Sequence, residues 1–225
     1  INTDAVCTIM RADGTVLGRR FIDHPSEKDR MYRTLGRIRR SQREHGSAQT
    51  QGRWAYTKRL NTELGKKIAG AIVRYAEENH ADVIVFEYLE MQGKISGKKK
   101  QKLHLWRKRD IQKRCGQQAH RKGIRISRIC AWNTSRLAFD GSGKIDRDIQ
   151  DHRLCTFQNG KRYNCDLSAS YNIGARYFIR EILKPLPATE RSLLEAKVPA
   201  VKRRTSCVYA DLRDLISEME LRKAA

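Results

Sequence analysis

The stretch ADVIVFEYLE, residues 81–90, decides the fold class of this chain. Residues 83–86 form an unbroken run of β-branched and aromatic side chains, which predicts a central strand covered on both faces. Glu87 follows this run directly. An unpaired charge in such an interior costs several kcal/mol. We therefore expect Glu87 to be paired, protonated or bound to a metal ion.

The residues before this strand predict a hairpin and two helices. AVCTIM and TVLGRRFI are typical of strands, and the Asp13-Gly14 pair between them is a strong hairpin signal. Between Asp29 and Gly46 the apolar residues fall at helical spacing while six arginines cover the remaining surface, which predicts a basic amphipathic helix. A second helix, with an apolar residue near every fourth position, is predicted to end near Asn79.

The residues after the strand predict a basic loop, two helices and one further strand. The loop covers residues 91–102, a cationic helix covers 103–122, and the run IRISRICA at 124–131 is typical of a strand. Asp166 is predicted to be the N-cap of a helix that Pro185 ends. This alternation favours an α/β layer fold with carboxylates gathered at strand and helix ends.

The charge of the chain predicts a polyanionic partner. Of 225 residues, 47 are Lys or Arg and 25 are Asp or Glu, which gives a formal net charge of +22. Residues 94–125 alone hold thirteen basic residues against one acidic residue. Nucleic acid is the favoured partner, because each neutralised phosphate releases counterions. A membrane is disfavoured, because no apolar run approaches the length of a spanning helix, and we expect a cytoplasmic protein.

The cysteines do not predict a zinc site. All six are scattered along the chain, and none forms the C-x-x-C pair of a zinc ribbon. Cys155 and Cys165 have nine residues between them but lack two further ligands nearby. We expect no zinc, and we expect most of these thiols to be buried.

Three segments resemble a known family. ADVIVFEYLE and YNCDLSASYNIGARY are similar to the second and third conserved segments of RuvC-type nuclease domains, in the form found in insertion-sequence TnpB proteins and the type V CRISPR effectors derived from these transposon proteins. The opening INTDAVCTIM and the tail TERSLLEAKVPAVKRRTSC fit the same family. The resemblance spans nearly the whole chain. It implies an RNase H-like (RuvC) mixed sheet flanked by helices.

The resemblance also implies a catalytic site for two Mg²⁺ ions. By position, Glu87 matches the family's glutamate and Asp166 its last aspartate, so both are expected to be catalytic metal ligands. The family's first aspartate lies in a strand just before the segment that this chain opens with, and Asp4 does not match it. We therefore expect the chain to lack one ligand and its strand, and the missing N-terminal portion of the same protein is an expected partner.

The implied domain organisation has two parts. Residues 1–185 would form a RuvC-like domain lacking its first strand, with a helical insertion at 29–80 and a short degenerate zinc-ribbon-like hairpin at 133–165. Residues 186–225 would form a C-terminal appendage.

The implied function is the nuclease portion of a TnpB-type, RNA-guided DNA endonuclease, with guide RNA and target DNA as partners. Two other functions stay open: a nuclease-dead, RNA-guided DNA-binding protein, and an RNA-binding fragment without target recognition. Glu87 could also be a structural carboxylate neutralised by an arginine. The expected nucleic-acid contacts are Arg33, Arg37, Arg40, Arg53, Lys58, Lys98, Lys99, Lys100, Arg107, Lys108, Lys113 and Arg114.

Overall fold

The computed structural model describes residues 4–88, 108–203 and 205–224. Within these ranges the chain has a mixed α/β fold with six α-helices and three small sheets. The strands are β1 (Ala5–Met10), β2 (Val16–Ile22), β3 (Val83–Tyr88), β4 (Arg125–Cys130), β5 (Asp146–Arg147), β6 (Leu154–Thr156) and β7 (Arg162–Asn164). The helices are α1 (Pro25–His45), α2 (Gln51–Glu78), α3 (Lys108–His120), α4 (Cys165–Leu183), α5 (Ala188–Lys197) and α6 (Tyr209–Ala224).

The predicted N-terminal hairpin is confirmed. β1 and β2 pair antiparallel, with Ala5 opposite Ile22. Gly14 adopts a φ of 79° in the turn, and the backbone N–H of Thr15 donates to Oδ1 of Asp13 at 2.8 Å. The Asp-Gly pair therefore makes this turn, because glycine adopts a positive φ without strain and the Asp side chain satisfies a backbone donor.

The first core forms around α2. Leu64, Ile68 and Ile72 of the predicted apolar stripe are buried, and they pack in one cluster with residues of α3 and with Ile84 of β3. This core packs β3 and α3 against the same helix, α2, and so fixes the strand that carries Glu87.

No helix in the described part of the chain is both long and apolar enough to cross a membrane.

β3 and β4 form a parallel pair in which Glu87 stands opposite Ile129. Within the described ranges β3 has no second strand neighbour, and in β3 only Ile84 is buried. The prediction of a central strand covered on both faces is therefore wrong for these residues. The apolar run packs on helices along one side, while its second edge lacks a described strand.

The second core joins the C-terminal residues to α4. Ile179 and Leu183 of α4 pack with Leu194 of α5 and with Leu212 and Leu215 of α6. All five side chains are buried. The residues after 185 thus bury much of their apolar surface against α4, while the predicted division into a domain and an appendage stays a prediction.

The third core lies under the three-stranded antiparallel sheet β5–β6–β7. Cys155 and Cys165 are buried free thiols in a cluster with Phe157. The rings of Phe139 and Phe157 meet edge to face with centroids 5.7 Å apart. The segment predicted as a ribbon-like hairpin is thus a small three-stranded sheet around an aromatic cluster.

Candidate carboxylate site and nucleic-acid interface

Glu87 lies at the carboxyl end of β3 with its side chain 19% exposed. The hydroxyl of Thr134 donates to its Oε1 at 2.5 Å, and Nζ of Lys108 lies 3.9 Å from its Oε2. The side-chain amide of Gln112, on α3, donates to the backbone oxygen of Glu87 at 3.0 Å. Among the described residues no arginine forms a salt bridge with Glu87, so the partners found here are a hydroxyl and a lysine.

Asp166 lies in the first turn of α4 but is not its N-cap. Asn164 has the extended backbone of a cap, with φ −81° and ψ 124°, and its side-chain oxygen accepts from the N–H of Leu167 at 2.9 Å. The predicted cap was therefore wrong by two positions, because Asp166 is already inside the helix. Its carboxylate is left for another role, and the helix N-terminus favours the ionised form.

The charge of Glu87 acts on Asp166. Burial raises the pKa of Asp166 above its ordinary value, Arg147 and Lys108 oppose this rise, and the charge of Glu87 adds to it. Lys108 therefore lies close to both acids. Hard cations such as Mg²⁺ prefer carboxylate oxygens, so this arrangement has the donor chemistry for a divalent ion.

A buried asparagine connects this site to the C-terminal segment. The amide of Asn172 donates to the backbone oxygens of Thr134 at 3.0 Å and Leu137 at 2.9 Å, while its side-chain oxygen accepts from the N–H of Tyr209 at 3.1 Å. Thr134 is 1% exposed and Asn172 is 0% exposed. Asn172 of α4 thus fixes the loop that carries Thr134, whose hydroxyl donates to Glu87.

Arg176 holds the end of β4 in the same way. Its Nη1 donates to the backbone oxygens of Cys130 at 2.9 Å and Trp132 at 2.6 Å, and its Nε donates to that of Cys207 at 2.8 Å. Its Nη2 has no hydrogen-bond partner in the described structure. Desolvation by burial lowers the pKa of Arg176, and the charge of Glu87 opposes this shift. This cation contributes positive potential at Glu87.

Sequence reasoning missed Thr134, Asn172 and Arg176. A signal was present for the last two, since both are polar residues on the buried face of α4. A polar group in such a position must find partners. Thr134 gave no comparable signal, because it lies in an irregular loop.

The predicted nucleic-acid contacts fall in three places. Those on α1 and α2, namely Arg33, Arg37, Arg40, Arg53 and Lys58, are all exposed. Of the residues on α3, Lys113 is exposed, Arg114 pairs with Asp110 at 2.9 Å, and Lys108 lies at the carboxylate site. The other predicted contacts, Lys98, Lys99, Lys100 and Arg107, lie outside the described residues.

Comparison with known proteins identifies the fold class. No family model and no curated protein matches this chain. The mixed α/β fold is similar to that of a chain in the cryo-EM structure of the Cas12f1–sgRNA–target DNA complex, with a TM-score of 0.52 and 16% identity, covering 75% of this chain and 49% of that chain. The chain thus spans about half the length of this neighbour.

Proposed function

We propose that this chain is the RuvC-like nuclease portion of a TnpB-type, RNA-guided DNA endonuclease. The observation that carries this proposal is the position of the two acids: Glu87 lies near the end of β3 and Asp166 in the first turn of α4, and the charge of Lys108 acts on both. These are the two acids that the family resemblance implies as ligands. The similarity of the fold to that of Cas12f1, whose structure was solved in complex with sgRNA and target DNA, supports the same function.

The two acids fit a magnesium site in part. Mg²⁺ is held by one or two carboxylates and keeps several waters, which Glu87 and Asp166 satisfy. Within the described residues no group of three or more His, Cys, Asp or Glu residues could hold a metal ion. When bound, two such ions activate an attacking water and stabilise the leaving oxygen of a phosphodiester. A two-ion site therefore needs a further carboxylate from outside the described residues.

We assign that carboxylate to a strand upstream of Ile1, as the resemblance implies. β1 and β3 both contact α2 and α4, yet they do not pair with each other in the described sheets. A strand between them would join the hairpin and the parallel pair into one mixed sheet. That strand would give the unpaired edges of β1 and β3 hydrogen-bond partners and would carry its acid towards Glu87.

Several described residues orient or charge the two carboxylates that would hold Mg²⁺. The Thr134 hydroxyl orients one oxygen of Glu87, and Asn172 fixes the Thr134 loop. Arg147 and Lys108 oppose the rise that burial causes in the pKa of Asp166, and so favour its ionised form. The exposed cations of α1 and α2 would contact phosphates of the guide and target strands without reading sequence.

A nuclease-dead, RNA-guided DNA-binding protein is the second candidate. It is favoured by the lack of a third candidate ligand beside Glu87 and Asp166 in the described residues. The two functions differ in one experiment: Mg²⁺-dependent cleavage of target DNA by the protein carrying the upstream strand and loaded with guide RNA. Cleavage that disappears in the Asp166→Asn variant supports the nuclease. Guide-dependent target binding without cleavage supports the second candidate.

A further inference from the structure

A groove between α1 and α2 is cationic on one side and aromatic on the other. Its volume is about 510 Å³, which lies in the range of ligand pockets. Arg30, Arg33 and Arg37 line it from α1, and Tyr56 lines it from α2. Asp29 is an acidic member of the same lining.

The three arginines form one continuous row. Their spacing of three and four residues places them on one face of α1, over about 10 Å of the helix axis at a rise of about 1.5 Å per residue. All three are exposed, and no acidic residue of the described chain forms a salt bridge with any of them. Three adjacent positive charges repel one another, and bound phosphates would relieve that repulsion.

Tyr56 gives the groove a surface for stacking. Its side chain is 39% exposed on the wall opposite the arginines. The two walls are tied together, because Nη1 of Arg53 donates to the backbone oxygen of Arg37 at 3.5 Å and Lys67 of α2 pairs with Glu27 of α1. An aromatic ring beside a row of cations is the arrangement that binds unpaired nucleotides, whose bases stack while their phosphates are neutralised.

We propose that this groove binds an unpaired nucleotide of an RNA strand. Asp29 favours RNA over DNA, because its carboxylate can accept a hydrogen bond from a ribose 2′-hydroxyl, which deoxyribose lacks. On its own, the carboxylate of Asp29 would oppose phosphate binding by the neighbouring arginines. A ligand that also donates a hydrogen bond to this carboxylate offsets that effect. The site deepens the proposed function, since it locates contacts to the guide strand, but it depends only on RNA binding.

The test measures binding of a fluorescently labelled, single-stranded RNA and of DNA with the same sequence to the full chain. Three variants change the groove: Arg33→Ala, Tyr56→Leu and Asp29→Ala. Two matched controls remove the same groups outside it: Arg39→Ala, from the same helix, and Tyr32→Leu, whose side chain is 74% exposed. Melting temperatures of all five variants establish that they remain folded.

The groove predicts different results for variants and controls. Tyr56→Leu should weaken RNA binding about tenfold, in the range of one stacked base, and Tyr32→Leu should have little effect. Arg33→Ala should weaken binding more than Arg39→Ala, although both remove one charge. Asp29→Ala should lower the ratio of RNA affinity to DNA affinity, whatever it does to each affinity separately.

Three results would contradict the proposal that the groove binds RNA. These are equal losses for Tyr56→Leu and Tyr32→Leu, equal losses for the two arginine variants, and an unchanged RNA-to-DNA ratio in Asp29→Ala. RNA binding by the wild-type chain distinguishes failure of the groove proposal from failure of the proposed function. If the wild-type chain binds RNA and the groove variants bind it equally well, only the groove proposal is rejected. If the wild-type chain binds no RNA, the groove proposal and the proposed function are both rejected.

Discussion

The hydroxyl of Thr134 donates a hydrogen bond of 2.5 Å to Oε1 of Glu87 across 47 residues of sequence. Hydrogen bonds to a charged acceptor are about twice as strong as neutral ones. This bond fixes the orientation of the carboxylate that we assign to metal binding. Thr134 is thus a positioning residue, and its loss should change how tightly the site holds Mg²⁺.

We predict that Thr134→Val raises the Mg²⁺ concentration needed for half-maximal cleavage by about 10- to 100-fold, the range for residues that orient metal ligands. Cleavage by the guide-loaded protein carrying the upstream strand is measured across a Mg²⁺ titration. Thr134→Ser keeps the hydroxyl and should behave like the wild type. An unchanged Mg²⁺ requirement in Thr134→Val would show that the bond has no part in metal binding.

We predict that Asn172→Ala lowers the free energy of unfolding by about 3 kcal/mol. The change leaves the buried oxygen of Thr134, and the partly buried oxygen of Leu137 and N–H of Tyr209, without their partner, and an unsatisfied buried group costs about 1 to 3 kcal/mol. Urea unfolding measures the loss. Asn159→Ala is the matched control, because Asn159 is exposed and bonds only to Asp140 and Lys161 among the described residues. Equal effects of the two changes would contradict the network.

We predict that Asp166→Asn stabilises the metal-free protein at neutral pH. Burial raises the pKa of Asp166 in the folded chain, so as pH rises the unfolded chain loses this proton first. Stability therefore falls between the unfolded and folded pKa values and stays lower above them. The variant should melt higher than the wild type at pH 7, and its advantage should shrink as the pH falls towards the ordinary range of an aspartate.

The control for this pH dependence is Asp146→Asn, which changes an exposed aspartate on β5. The melting temperatures of the wild type and both variants are measured in EDTA from about pH 4 to about pH 8. A neutral-pH loss of stability in Asp166→Asn would mean that its carboxylate makes a favourable structural contact.

We predict that the purified chain contains no stoichiometric zinc. Cys155 and Cys165 are buried together with Phe157, and in the described residues no further ligands complete a tetrahedral site around them. Elemental analysis of protein prepared without chelator measures the content. One zinc per chain that disappears in Cys155→Ser would contradict this expectation.

The order of the elements could be predicted because its signals are local. The spacing of Leu64, Ile68 and Ile72 defines one face of a helix whatever surrounds it. The Asp13-Gly14 pair likewise specifies its turn from two adjacent residues. Such features depend little on the rest of the fold, so they were predicted well.

The cap of α4 could not be assigned in this way. Asn164 and Asp166 are two residues apart, and both have side chains that cap helices. Which one caps depends on where the backbone leaves β7, and β7 ends at Asn164. Packing of the small sheet therefore decided a feature that local sequence left ambiguous.

The contacts that organise the candidate site could not be predicted, for a different reason. Thr134 and Asn172 meet across 38 residues. Asn172 lies in the third segment of the family resemblance, but nothing in the sequence pairs it with Thr134. Burial of β3 was misjudged similarly, because an apolar run does not reveal whether both of its faces are covered. Such properties follow from tertiary packing.

The central claim is that Glu87 is a catalytic metal ligand rather than a structural carboxylate. The most direct test measures cleavage, guide binding and melting temperature of Glu87→Gln in the guide-loaded protein carrying the upstream strand. The control is Glu44→Gln, which changes an exposed residue of α1. We predict that Glu87→Gln abolishes Mg²⁺-dependent cleavage while guide binding and melting temperature stay near those of the control. A Glu87→Gln protein that is destabilised yet still cuts its target would contradict the claim.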